Sequence, residues 1–297
     1  MLDHKGYDLI PSTKRGCKGQ TETRVEQACR SCSNIKSKQT KVRDSSLEII
    51  ESIIANQNLL NHKILTICIE EDLDKNLTGL IANQLMAKYQ RPVLLLNKTI
   101  EEETEEIIWS GSGRNYDKSK FYNFKDFLNQ SHYMRFAEGH QSAFGAAIAD
   151  KDLSDFVIYT DEVLKDFDFT PNYKVDYIFN HNDMNPKEIL DIANLKSIWG
   201  QGVEEPLIAI ENIKVHANSI QLMSADKNPT LKITLPNGMS LIKFRSSKEE
   251  YDSLYSSSGC VSINVVGKCE RNEWNGAVSP QIIVEDYEVI GKTDYYF

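Results

Sequence analysis

The apolar residues of this 297-residue chain change their spacing twice, and those changes restrict what it can fold into. From about Glu22 to Asn58, Val25, Ala28, Cys29, Cys32 and Ile35 recur at helical intervals, as do Leu47, Ile50, Ile53 and Ile54. No proline or glycine interrupts that stretch, so one or two long helices are expected. The preceding residues 1–20 hold Gly6, Pro11, Gly16 and Gly19 without periodicity and read as loop. Between residues 62 and 149 strand and helix patterns alternate. HKILTICIEE (62–71) reads as a buried strand. NLTGLIANQLMAKYQ (76–90) reads as an amphipathic helix with Leu80, Ile81, Leu85 and Met86 facing in. RPVLLLNK (91–98) reads as a second strand, and EEIIWSGSGR (105–114) as a third that ends in a glycine turn. FKDFLNQ (124–130) is helical, and SAFGAAIA (142–149) is a helix or a buried strand. This alternation belongs to an α/β module. Residues 151–195 are acidic and aromatic, with VDYIFN (175–180) as a strand and PKEILDIANL (186–195) as a helix. From Pro206 onward, short alternating segments are separated by turns such as Pro236-Asn237-Gly238 and Asn275-Gly276, which suggests a small β-barrel.

Hydrophobic residues make up 40% and charged residues 26%, ordinary values for a globular chain. No apolar run approaches the roughly 18 residues of a membrane span. The start, MLDHKGYDLIPS, has no apolar signal region, so no membrane partner and a cytoplasmic location are expected. The net charge of −9 argues against nonspecific coating of nucleic acid. Its distribution is uneven: residues 1–45 hold ten Lys or Arg and five acids, a net +5, which leaves −14 for the remainder. Such a basic arm suits phosphate or an acidic partner surface, and equally a solvated helix face. The six cysteines are too few for a disulfide scaffold. Cys29 and Cys32, with Cys17 and His4, could outline a zinc site, but no second CxxC follows, so reduced thiols are the expectation.

Three local patterns carry chemistry. In Gly111-Ser112-Gly113-Arg114, glycines free backbone N–H groups, Ser112 adds a hydroxyl and Arg114 can clamp a phosphate. A purely structural turn is the competing reading. In Glu138-Gly139-His140-Gln141-Ser142-Ala143-Phe144-Gly145-Ala146, small residues permit close approach and His140 could contact a phosphate, or could be an ordinary surface histidine. Trp199-Gly200-Gln201-Gly202, followed by Glu204-Glu205-Pro206, reads as a tight loop before a strand.

In this order the patterns resemble the RecJ branch of the DHH phosphoesterase superfamily. Gly111–Arg114 resembles the GSGR-like turn of its DHH-associated domain, and Gly139-His140 with Ala143 and Gly145 resembles its GGH-xx-A-x-G motif. Tyr89-Gln90-Arg91-Pro92-Val93 resembles the segment ending in "kYxRPv", and WGQGVEEP resembles the FGxGNPEP loop of the oligonucleotide-binding (OB) barrel, though without its asparagine. Asn272-Glu273-Trp274-Asn275-Gly276 with Gln281 and Asp286 resembles that barrel's closing motif, and the amino-terminal helix resembles the family's interdomain connector. The resemblance implies a basic helical connector (1–60), an α/β DHH-associated domain (61–155) and an all-β OB barrel (172–297). It implies single-stranded DNA as ligand, with His140 catalytic and Ser112, Gly113, Arg114, Gly139, Trp199 and Trp274 binding the strand.

Three departures from the pattern matter. Glu138 stands where the motif has glycine and is expected to point away from a phosphate; Phe144 replaces its second alanine. The Asp-His-His triplet that helps bind two Mn²⁺ or Mg²⁺ ions in the complete family enzyme does not occur, and Asp3-His4 and Glu70-Glu71-Asp72 with Asp74 do not replace it. No metal site is therefore expected in this chain, and cleavage would need a separate DHH-domain chain. A non-catalytic binding module and the product of an interrupted gene are the alternatives.

Overall fold

The computed structural model describes residues 4–70, 73–182, 184–224, 229–254 and 259–294. The chain divides into two compact units, 1–172 and 173–297.

In the first unit a small antiparallel pair, β1 (Leu9–Pro11) and β2 (Thr21–Thr23), leads into α1 (Arg24–Asn56), a single helix of 33 residues. A capping box starts it: the Thr23 hydroxyl accepts from the Glu26 N–H (3.2 Å), and the Glu26 carboxylate accepts from the Thr23 N–H (2.8 Å). Its amino-terminal apolar residues are not buried. Val25, Ile35 and Val42 are each about half exposed, whereas Ile50 and Ile54 are 1% exposed.

The elements β3 (Leu65–Ile69), α2 (Lys75–Tyr89), β4 (Val93–Ile100), β5 (Ile107–Arg114), α3 (Phe124–Gln130), β6 (Met134–Gly139), β7 (Ala143–Ala149) and α4 (Asp150–Val163) follow. The strands form one sheet in the order β3-β4-β5-β7-β6, with β3 and β4 parallel and the other pairs antiparallel. Strand side chains alternate between faces. Val93 and Leu95 therefore meet Ile50 and Ile54 of α1 and Leu77, Ile81 and Leu85 of α2. Leu94 and Leu96 meet Phe124 and Leu128 of α3 and Phe156 of α4. The result is helix, sheet, helix. Leu80 is a correction: it is 55% exposed, and Leu77 occupies the inward position one turn before Ile81. SAFGAAIA is the buried strand β7, since its two sheet neighbours claim its backbone. The periodicity did not show β6 or α4. Of α4, only Phe156 and Thr160 are fully buried, too sparse an apolar pattern to read.

The second unit holds β8 (Tyr177–Asn180), α5 (Pro186–Ala193), β9 (Ile208–His216), β10 (Ile220–Met223), β11 (Thr230–Thr234), β12 (Ser240–Phe244), α6 (Lys248–Leu254), β13 (Gly259–Trp274) and β14 (Ala277–Asp294). The strand order is β10-β11-β12-β14-β13-β9-β8. The anticipated Asn275-Gly276 turn joins β13 to β14, with φ of 50° and 78°, the left-handed pair that a two-residue hairpin requires. Ile210, Ile213, Val261, Ile263 and Ile282 lie in its core, together with Ile189 of α5 and Leu254 of α6. The unit is thus strand-rich without being purely β.

Candidate nucleic-acid interface

Gly111–Arg114 is not a turn. These residues are the last four of β5, paired with Val93–Leu96 on one side and Ala143–Ala146 on the other. Their backbone groups serve the two ladders, so they do not form a free N–H cradle for phosphate. The glycines serve packing instead. A Cβ on Gly113 would come within 2.3 Å of the Phe144 ring, and one on Gly111 within 2.0 Å of the Leu95 carbonyl oxygen.

The alternate residues Ser112 and Arg114 face α2. The Ser112 and Thr78 hydroxyls are 3.0 Å apart. Gly79 leaves space for the Arg114 guanidinium: a Cβ there would lie 2.4 Å from one of its nitrogens. Arg114 Nη1 donates to the Gly113 carbonyl (2.7 Å). Burial depresses the pKa of Arg114, and no carboxylate among the described residues offsets that effect. A half-buried guanidinium lacking an acid partner among the described residues favours an incoming anion.

His140 sits at the exposed tip between β6 and β7, where its N–H donates to the Ala143 carbonyl (3.1 Å). Gly139 before it has φ +134°, a conformation that side chains disfavour. The register sets Arg114 opposite Ala143, so the guanidinium strand end and the histidine tip share one end of the sheet. Asn115 and Asp117, which the motif reading passed over, tie them together. The Asn115 N–H donates to the Ser142 carbonyl (2.9 Å). The Ser142 hydroxyl (2.6 Å) and the Asn115 amide (3.0 Å) both donate to one Asp117 carboxylate oxygen. Asn115 is 1% exposed. Its only sequence signal was a polar Asn-Tyr-Asp directly after the motif.

The pairing also orders the α2 side of the sheet in rows: Arg114 with Ala143; Ser112 with Gly145 and Glu138; Ser110 with Ala147 and Phe136. Glu138 therefore lies on the face of Ser112 and Arg114 and does not point away, because its register partner is Gly145.

Trp199 and Trp274 belong to the second unit. Trp199 is partly buried before a tight turn closed by Gly200 N–H to Val203 carbonyl (2.9 Å). Trp274 is 74% exposed at the β13–β14 hairpin. Lys196, just before Trp199, pairs with Glu270 of β13 (2.7 Å).

Among the described residues, no three His, Cys, Asp or Glu side chains converge to hold a metal. The Asp74 carboxylate instead caps α2, accepting from the Asn76 N–H (2.9 Å). Asp3, Glu71, Asp72 and the His4 side chain lie outside the described residues. Cys29 and Cys32 are exposed free thiols on α1. The described donors do not fit a two-metal centre. No described helix is long and apolar enough to cross a membrane.

A family profile described as the RecJ OB domain matches residues 175–286. The chain is 34% identical over 288 residues to the SPbeta prophage-derived single-strand DNA-specific exonuclease YorK of Bacillus subtilis (strain 168), covering 95% of this chain and 49% of that protein. It is 23% identical over 258 residues to the single-stranded-DNA-specific exonuclease RecJ of the same organism, covering 84% of this chain and 30% of RecJ. The crystal structure of Thermus thermophilus RecJ with Mn²⁺ shares its fold at a TM-score of 0.57 and 14% identity, over 86% of this chain and 35% of that one. The chain thus spans about half the length of YorK, the first of these relatives.

Proposed function

We propose that this chain, similar to the carboxyl-terminal portion of RecJ-like proteins, grips single-stranded DNA for an exonuclease whose metal ligands lie elsewhere. The observation that carries this reading is Arg114, half-buried with no acid partner among the described residues, at the same end of the sheet as His140. Arg114 would hold a strand phosphate, with the Ser112 hydroxyl as a second donor. His140 would donate a hydrogen bond to the scissile phosphate as charge develops. Exposed Trp274 would add a stacking surface, Trp199 a partly buried one, and α1 basic charge. In the complete enzyme Mn²⁺ or Mg²⁺ would supply the activated water. In this reading residues 1–60 act as the connector, 61–155 as the DHH-associated domain and 172–297 as the OB barrel.

A non-catalytic accessory subunit is the second reading, favoured by the Glu138 carboxylate on the face where a phosphate would sit. One experiment separates the two. The purified chain should bind a single-stranded oligonucleotide of about 16 nucleotides, with affinity that falls as salt rises, and should not degrade it with Mn²⁺. Adding a DHH-domain chain should restore cleavage. In that mixture Arg114→Ala should weaken strand binding by roughly ten- to a hundredfold, the worth of a charge-assisted contact, and His140→Ala should fall mainly on turnover. Binding without cleavage in the mixture would establish the accessory role. Salt-insensitive or undetectable binding would remove both readings.

A further inference from the structure

We propose that Phe136 is a nucleobase-stacking platform and that Glu138 beside it selects bases carrying an exocyclic amino group. This deepens the strand-gripping reading and rests on it. Phe136 lies on β6, the edge strand of the five-stranded sheet, and is 41% exposed. Its register partner Ala147 places it on the same face as Ser110, Ser112 and Arg114. The ring leans over Gly145, where an added Cβ would lie 3.8 Å from it, so it reaches the middle row of the face. No described ring packs against it, in contrast to Phe121, Phe124 and Phe144 on the opposite face. An aromatic ring beside a floor of Ser, Gly and Ala leaves a partly exposed π surface.

Strand geometry sets the spacing. Arg114 and Phe136 are two strands apart, roughly 10 Å, and about four residues apart along the strands, roughly 13 Å. A phosphate on Arg114 and a base on Phe136 therefore belong to different nucleotides of one strand. Glu138 follows Phe136 by two residues on the same face, level with Ser112 and Gly145. A carboxylate only accepts hydrogen bonds, so it welcomes the amino group of cytosine or adenine and repels the carbonyl edge of thymine.

The test measures binding of labelled oligo-dC and oligo-dT of equal length to the full chain at low salt, with thermal unfolding recorded in parallel. Wild type should prefer dC by roughly two- to tenfold, the worth of one hydrogen bond. Glu138→Gln, which offers both a donor and an acceptor, should bring the two affinities together. Phe136→Ala should weaken both, by about fivefold or more, as loss of base stacking does. Phe136→Leu keeps an apolar cover over Gly145 and removes only the ring; it should weaken binding without lowering the unfolding temperature, whereas Phe136→Tyr should bind as wild type. If Phe136→Leu binds normally while Arg114→Ala does not, the platform is overturned and the strand-gripping reading stands. If wild type binds dC and dT equally, or Glu138→Gln keeps their ratio, the selection by Glu138 is overturned. If wild type binds neither oligonucleotide, both readings fall.

Discussion

Gly79 and Arg114 meet across the gap between α2 and β5, and their contact separates folding from binding at the level of single residues. An alanine at position 79 would crowd only the far end of a flexible side chain. In a helix interior, alanine is worth about 0.5–1 kcal/mol over glycine. Gly79→Ala should therefore keep or slightly raise thermal stability while displacing the guanidinium and lowering single-strand affinity. Unchanged affinity would show that the observed place of the guanidinium is irrelevant to binding. Gly113 behaves oppositely, because its neighbour is the packed Phe144 ring: Gly113→Ala should cost about 1–3 kcal/mol in chemical denaturation. The cysteines divide in the same way. Burial pushes the thiols of Cys68 and Cys269 up to about 12, whereas Cys29 and Cys32 are exposed. A thiol reagent at about pH 8 should label Cys29 and Cys32 within minutes and spare Cys68 and Cys269 until the protein unfolds, as peptide mapping would reveal.

Among the elements, α1 has two regimes. Residues 31–39 are exposed on every side, while Ile50 and Ile54 are fixed in the sheet core. Ser37→Pro should break the helix locally, shown by lost helical circular dichroism, with little change in the unfolding temperature of the sheet. Ile54→Ala should instead cost about 2–5 kcal/mol by leaving a cavity. The start of α1 depends on pH. The hydrogen bond from Arg30 holds the Glu22 carboxyl down at about 2, below its ordinary 4.5. A depressed carboxyl contributes stability above its unfolded pKa and loses it as pH falls through the folded one. The protection factors of the amides of residues 9–26, taken relative to intrinsic exchange at each pH, should therefore be highest above about pH 4.5 and fall toward pH 2. Arg30→Gln should abolish that pH dependence.

At the scale of the whole molecule, each unit has its own apolar core, and that of the second draws, among the described residues, on those between Phe179 and Tyr287. Residues 173–297 expressed alone should fold cooperatively, with dispersed amide resonances and a single thermal transition. Multiple transitions or a collapsed spectrum would mean that this core needs the rest of the chain.

Local patterns were legible wherever one physical signal dominated. The periodic run without glycine or proline became α1, FKDFLNQ became α3, and Asn275-Gly276 became the hairpin, because periodicity, breakers and left-handed turns act within a few residues. The ordered motifs were enough to place the chain beside RecJ-like proteins. What the sequence could not state was which neighbour each strand would find. Gly111–Arg114 read as a turn until two strands claimed its backbone, and β6 is an edge strand with little apolar periodicity. Glu138 was expected to point away, yet pairing with Gly145 put it on the face of Ser112 and Arg114, since register alone decides which side of a sheet a side chain occupies. Asn115, Asp117 and Phe136 acquire their places only through strands distant in the chain, and long-range pairing is a property of the folded sheet rather than of any local segment.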